Sequence, residues 1–346
     1  MKSRKIIWGL VGLWAINMTV SEQIKPLLVV KNLKTYFPIT RGLIFERKIG
    51  EIKAVDDVSF EIFKGETLGL VGESGSGKST LARSIVKLIK TTAGEIIFDG
   101  QQMGRISGRK LRKLRKKIQI VFQDPYSSLN PRMTAAEIIS EPLVIHKYSK
   151  NRYERDVKVK ELLELVGLSN SIKDRFPHEF SGGQRQRLGI ARALALSPDF
   201  IVCDEPVSSL DVSVQAQIIN LLMEIQQQFK ISLLFISHDL SVVKHISHRI
   251  AVMYLGKIVE IIESDKLYTD AKHPYTKLLL SAIPVPEPQK SRKPISFRGE
   301  TPSFLNLPSG CSFNPRCSLV SDECRQFIPQ LKEISSKHFV SCFNVK

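Results

Sequence analysis

Gly72-Glu73-Ser74-Gly75-Ser76-Gly77-Lys78-Ser79 combines three glycines, a lysine and a hydroxyl at the spacing of a phosphate-binding loop. Glycines let the backbone fold so tightly that successive N–H groups face one anion. An apolar run, Thr67–Val71, precedes the loop and a helix-like stretch over residues 80–90 follows it, so the positive end of a helix points at the same place. Lys78 then reaches the outer phosphates of a nucleotide, and the Ser79 hydroxyl ligates Mg²⁺. Residues 72–79 together with Thr80 form the expected nucleotide cradle.

Further candidates stand at the ends of apolar runs. Residues 200–203 are followed by two carboxylates, Asp204 and Glu205. A parallel strand delivers its last residue to the same sheet edge as the phosphate loop, which places Asp204 to hold Mg²⁺ and Glu205 to polarise the attacking water as a general base. Residues 233–236 end in Ser237-His238-Asp239, where His238 could contact the γ-phosphate and orient that water. Gln123 follows the run 118–122; its amide oxygen could bind Mg²⁺ or water. Ser181-Gly182-Gly183-Gln184 opens a helix with a good N-cap and exposed first amides, a second anion site. Two such ends in one chain suggest a dimer, each helical insert closing over its partner's nucleotide.

The elements that must position these residues follow from periodicity. Short strand patterns occupy 27–30, 58–62, 67–71 and 94–100, and apolar runs return at 118–122, 200–203 and 233–236. Val214, Ile218, Leu221, Leu222, Ile225 and Phe229 recur at helical spacing between the last two runs. Strand, helix, strand in this order predicts an α/β fold with a parallel sheet covered on both faces. Residues 126–195 are mostly helix-like and read as an inserted helical subdomain.

At 346 residues, with 42% apolar and 25% charged side chains, the chain is globular, which excludes a disordered chain or a multi-span membrane protein. The net charge of +17 fits a polyanionic partner, an anionic membrane surface or neither. Residues 105–117 carry eight basic residues and no acid, most simply a solvated, partly helical surface near anionic lipid. Without interleaved aromatics or a binding module, no specific nucleic acid is expected there. Lys2, Arg4 and Lys5 precede an apolar run at 6–16 that is short for a membrane span. It reads as an over-extended start before Met18 or, alternatively, an anchor.

The whole set resembles the ATP-binding-cassette (ABC) ATPases, over residues 27–281. Residues 72–79 resemble the Walker A loop, Gln123 the Q-loop, 181–184 the signature, 200–205 the Walker B strand, Ser209-Leu210-Asp211 the D-loop and His238 the switch histidine. The resemblance implies a P-loop NTPase core, ATP and Mg²⁺ as ligands, and Asp211 near the composite site. Tyr36 resembles the aromatic that stacks on adenine, with plain packing an equal reading. Residues 122–133, 177–187, 211–217 and 273–276 look like the peptide-transporter branch, the second ATPase of oligopeptide and dipeptide importers. That branch implies permease subunits, a related ATPase as heterodimer partner, an extracytoplasmic solute-binding protein, and a place at the cytoplasmic face of the membrane. Importers of nickel or other solutes share much of this pattern; a non-transport cassette acting on nucleic acid is the reading from another class.

Of the five cysteines, four (Cys311, Cys317, Cys324 and Cys342) fall in the last 36 residues. By chemistry alone, four thiolates suit zinc or an iron–sulfur cluster, with disulfides the alternative in an oxidised preparation. The resemblance implies a [4Fe-4S] cluster. The expected organisation is an N-terminal extension (1–26), the cassette (27–281) with its helical subdomain at about 126–195, and a cysteine-containing extension (282–346) entered through a proline-rich arm.

Overall fold

A computed structural model describes residues 25–41, 47–148, 151–283 and 302–345. The apolar run at 6–16 and most of the proline-rich arm lie outside these residues.

Twelve strands run in chain order among the described residues: β1 (Pro26–Arg41), β2 (Arg47–Phe63), β3 (Thr67–Val71), β4 (Ala93–Phe98), β5 (Gln101–Gln102), β6 (Ile118–Val121), β7 (Phe200–Asp204), β8 (Ser232–Ser237), β9 (Arg249–Tyr254), β10 (Lys257–Glu263), β11 (Lys332–Ser335) and β12 (His338–Val340). They form a four-stranded sheet, β2-β1-β4-β5, and an eight-stranded sheet, β11-β12-β10-β9-β3-β8-β7-β6. In the larger sheet β6, β7, β8, β3 and β9 pair in parallel. Their apolar runs are buried on both faces, as such strands require. Leu68 and Leu70 enter one core cluster and Val71 the other, following the two-residue alternation of a strand.

The sheet is not parallel throughout. β9 and β10 are joined only by Leu255 and Gly256, both at positive φ (41° and 80°), and a two-residue turn can return the chain only antiparallel. β12 then pairs antiparallel with β10, so the C-terminal segment extends the sheet. The smaller sheet is antiparallel, and β1 runs well beyond the short strand expected at 27–30. Register shifts between Val30 and Leu33 and between Leu33 and Thr35 let it continue through Asn32, at φ 46°.

Helix α1 (Lys78–Ile85) leaves the phosphate loop, and α2 (Gly108–Lys117) holds the basic run. Several of its cations are engaged rather than freely solvated: Lys116 donates to the His146 carbonyl at 3.2 Å, Lys117 pairs with Asp99 at 2.9 Å and Asp199 at 3.3 Å, and Arg112 donates to the Ile145 carbonyl. Helices α3 (Pro125–Ser128), α4 (Ala135–Ile145), α5 (Arg152–Leu165) and α6 (Gly182–Leu194) fill the insert between β6 and β7. Ile138, Ile139, Leu143, Leu162, Leu163 and Leu188 form their shared core. Helix α7 (Val212–Phe229) crosses from β7 to β8, and α8 (Leu240–Ile246) follows β8. The parallel register brings the C-terminal ends of β3, β6, β7 and β8 to one edge.

Candidate nucleotide site

After β3 the chain turns through residues 72–77 into α1. The N-cap, Gly77, contributes no side-chain capping bond, and the first turn holds no acidic residue. Uncapped amides at the positive end of a helix suit an anion. Gly77 has φ 103°, and a Cβ there would stand 2.1 Å from the Ala54 carbonyl oxygen. A Cβ on Gly72 would meet the Met253 carbonyl oxygen at 2.1 Å. The loop is therefore pressed against β2 and β9 at points where only glycine fits.

Lys78 is 3% exposed, and its ammonium donates to the carbonyls of Gly72 at 2.8 Å and Glu73 at 3.0 Å. Burial pushes its pKa down, offset in part by the carboxylates of Glu205, Asp204 and Glu73. Beside it Ser79 Oγ donates to Asp204 Oδ1 at 2.7 Å. Asp204 is fully buried, and its Oδ2 has no hydrogen-bond partner among the described residues; Arg83 Nε is 3.8 Å away. Burial raises the Asp204 pKa against the opposing pull of the Ser79 hydroxyl and Arg83. A buried carboxylate oxygen without a donor, next to a serine hydroxyl, fits a Mg²⁺ ion.

Glu205 leaves β7 at φ 48°, a left-handed conformation uncommon for residues other than glycine. Its amide donates to the Ile236 carbonyl at 3.1 Å. Around its carboxylate stand Gln123 Nε2 at 2.9 Å, His238 Nδ1 at 3.6 Å and Lys78 Nζ at 3.9 Å. The edge thus gathers the phosphate loop, Gln123, Asp204, Glu205 and His238. Gln123 meets the carboxylate through its amide nitrogen. Thr80 lies on α1, where its carbonyl accepts Ser84 Oγ at 2.7 Å.

Three expected features sit apart from this cluster. Residues 181–184 close on themselves: Ser181 Oγ accepts the Gln184 amide at 3.3 Å and Gln184 Oε1 accepts the Ser181 amide at 3.0 Å. The glycines between them face Leu210 and Val214. Asp211 is the exposed N-cap of α7. Tyr36 is half-buried on β1; its hydroxyl donates to Asp56, which Lys257 holds at 2.7 Å, and the Lys53 ammonium lies 5.6 Å from its ring centroid. The expected adenine platform is therefore already tied into a polar cluster.

Two residues at the loop escape sequence reasoning. Tyr275, fully buried, accepts the Glu73 amide at 2.9 Å through its hydroxyl, and Arg316 pairs with the Glu73 carboxylate at 3.1 Å. Tyr275 lies in the quoted stretch 273–276, and Arg316 sits directly before Cys317, but neither pattern names its partner.

The comparisons decide the family. The model described as "ABC transporter" matches residues 55–208, and the one described as "Oligopeptide/dipeptide transporter, C-terminal region" matches residues 259–324. The Bacillus subtilis oligopeptide transport ATP-binding protein AppF is 54% identical over 328 residues, 94% of this chain and 99% of its own length. The chain belongs to the ABC transporter ATP-binding family. A probable peptide ABC transporter ATP-binding protein of Sinorhizobium fredii is 51% identical over 91% of this chain and 89% of its own. Among solved structures, the dimeric post-hydrolysis ATP-binding cassette MJ0796, bound to ADP and Pi, superposes at TM-score 0.62 with 29% identity, covering 68% of this chain and 98% of the other. As an ABC ATPase, the chain hydrolyses ATP.

In this ABC ATPase the C-terminal match reaches Cys311, Cys317 and Cys324 and stops short of Cys342. All four thiols are free. Burial raises the pKa of Cys311, to about 11, and those of Cys317 and Cys342; the neighbouring cysteines push each further up. N–H donors face the sulfurs: the Leu319 amide lies 3.3 Å from Cys317 Sγ and Asn344 Nδ2 lies 3.5 Å from Cys324 Sγ. Such donors are what bound thiolates use, whereas the raised pKa values favour the neutral thiol. As placed, however, no group of three or more His, Cys, Asp or Glu among the described residues is arranged to hold a metal ion, so the four-cysteine set expected from the sequence is not assembled. Cys203 stands apart, its thiol pushed to about 12 by full burial, as a core residue should be. No helix among the described residues is long and apolar enough to cross a membrane.

Proposed function

We propose that this ABC ATPase is the ATP-hydrolysing subunit of a peptide importer, working with permease subunits at the cytoplasmic face of the membrane. The observation that carries this reading is the match of residues 259–324 to the oligopeptide/dipeptide transporter C-terminal region, which lies beyond residues 55–208, matched by the general ABC transporter model. The near full-length similarity to an oligopeptide transport ATP-binding protein supports it. On this reading residues 27–281 form the cassette and 282–346 an extension specific to the branch. A related ATPase is the expected partner, and an extracytoplasmic solute-binding protein delivers the peptide.

The chemistry is positioning and electrostatics. Lys78 and the amides of residues 72–80 hold the phosphates, and Ser79 with Asp204 would hold Mg²⁺. When bound, the ion neutralises charge on the transferred phosphoryl group. Glu205 accepts a proton from the attacking water, with Gln123 and His238 orienting its carboxylate. Tyr36 offers its ring to the base. Residues 181–184 and Asp211, turned away from the loop of their own chain, supply the opposite wall of a partner's site, and the dimeric MJ0796 cassette supports this arrangement. The four C-terminal thiols are not arranged to hold a metal ion in this structure; anaerobic purification with visible absorption and metal analysis tests a [4Fe-4S] cluster against zinc, and a metal-free chain removes both.

Deleting the gene and measuring labelled oligopeptide uptake tests the function. Uptake is lost, returns with the wild-type chain, and fails to return with Lys78→Ala. Unimpaired peptide uptake with lost nickel uptake overturns the peptide reading.

A further inference from the structure

Arg316 ties the C-terminal cysteine segment to the phosphate loop. Its Nη1 lies 3.1 Å from both carboxylate oxygens of Glu73, 243 residues earlier in the chain. The mounting is firm. Arg316 ends a short turn, Asn314–Arg316, between Cys311 and Cys317, in which the Asn314 amide donates to the Cys311 carbonyl at 2.9 Å and the Arg316 amide to Phe313 at 3.0 Å. The Cys311 amide donates to the Cys324 carbonyl at 2.8 Å. Phe313, 1% exposed, packs against both Tyr254 and Tyr275 at ring distances of 5.3 and 5.5 Å.

The pair matters because of where Glu73 stands. Its carbonyl accepts the Lys78 ammonium, its amide is held by Tyr275, and the field of its carboxylate reaches Lys78. A carboxylate in a loop that receives a triphosphate repels it, and the Arg316 side chain, 12% exposed, faces that carboxylate from a partly desolvated position where charge compensation is effective. We propose that Arg316 is a charge-compensating, positioning residue for ATP, through which the C-terminal cysteine segment sets the nucleotide affinity of the cassette. This rests on the ATP-binding role of residues 72–80.

The test uses the full chain and ATP itself, by calorimetric titration and steady-state hydrolysis. Arg316→Gln raises Kd and KM about tenfold, equivalent to about 1.4 kcal/mol, with a much smaller change in kcat. Arg316→Lys regains part of the loss. Adding Glu73→Gln to Arg316→Gln removes the carboxylate that Arg316 faces and brings Kd back to within about threefold of wild type. Arg316→Gln binding within about twofold of wild type overturns the proposal, and so does a double variant as weak as the single one. Should Arg316→Gln not fold, Glu73→Gln alone decides: it keeps the guanidinium and binds ATP at least as tightly as wild type, and weaker binding overturns the charge argument. A wild-type chain that binds no ATP instead removes the nucleotide reading on which the proposal stands.

Discussion

Tyr275→Phe removes one oxygen atom and keeps the ring. That oxygen accepts the Glu73 amide at 2.9 Å, while the ring contacts to Tyr254 and Phe313, at 4.5 and 5.5 Å between centroids, survive the change. One backbone donor of the phosphate loop is left without its partner. Stranding a buried donor costs about 1–3 kcal/mol, and because Glu73 is only half-buried the lower part, about 1–2 kcal/mol, applies. Where the cost appears depends on the loop. If residues 72–74 keep their shape, free and ATP-bound protein carry the penalty alike; the free energy of unfolding falls and Kd is unchanged. If the loop relaxes until water satisfies the amide, the free protein recovers and ATP must rebuild the cradle, so Kd rises by up to about thirtyfold. The two losses sum to the same about 1–2 kcal/mol. Urea denaturation and ATP titration on one preparation measure both. A variant within about 0.3 kcal/mol of wild type in both quantities shows that the hydroxyl does not hold the loop.

Glu205→Gln preserves size and an acceptor for Gln123 but removes the base, so ATP binding persists while phosphate release slows about 10²–10⁴-fold; hydrolysis near the wild-type rate refutes the assignment. Gly77→Ala must hold φ 103° with its Cβ 2.1 Å from a carbonyl oxygen and loses ATP binding, whereas Gly75→Ala carries only the backbone strain of φ 77°, meets nothing within 4 Å and is milder. Equal losses in the two variants contradict the packing account. Burial holds the His273 pKa down at about 3, with Nδ1 accepting the Tyr275 amide, so between about pH 6.5 and 3 the unfolded chain binds a proton that the folded chain refuses. Stability is whole above that window and falls by up to about 1.4 kcal/mol per pH unit on acidification; His273→Asn, which keeps an N-cap acceptor, flattens the denaturation midpoint against pH from 6 to 4. An unchanged slope counts against a neutral buried His273.

What the sequence made legible were features whose partners are local or brought together by strand register. The glycine spacing, the acids after residues 200–203 and the histidine after 233–236 meet because parallel strands end at one edge. Gln123, one step beyond β6, arrives by the same rule. The antiparallel turn at Leu255-Gly256 also had a local cue, a glycine between two apolar runs, but it was submerged in the alternation of strands and helices. The partners of Glu73 had none. They lie 202 and 243 residues downstream, and no periodicity links a loop glutamate to a tyrosine in one helix and an arginine beside a cysteine. Tyr36 shows the same limit: the strand pattern at 27–30 stops short of it, and its bond to Asp56 depends on a bulged register between β1 and β2.

These long-range partners converge on one piece of structure. The Gly256 amide donates to the Ser76 carbonyl at 2.9 Å and the Asp56 amide to the Gly256 carbonyl at 2.8 Å, so the β9–β10 turn stitches the phosphate loop to β2. From that turn β10 runs on to pair with β12 at Glu260 and Ile261. Glu260, fully buried, accepts the amides of Lys272 at 2.7 Å and His273 at 3.1 Å and faces His338 Nε2 at 2.8 Å. A buried carboxylate with so many donors fixes every element that supplies one. The C-terminal segment therefore grips the hairpin that braces the loop, while Arg316 touches the loop directly. Backbone pairing sets where the segment sits, and the guanidinium sets the charge it presents. A loop built from flexible glycines needs such bracing, because every amide it aligns toward phosphate is one that water would otherwise disorder.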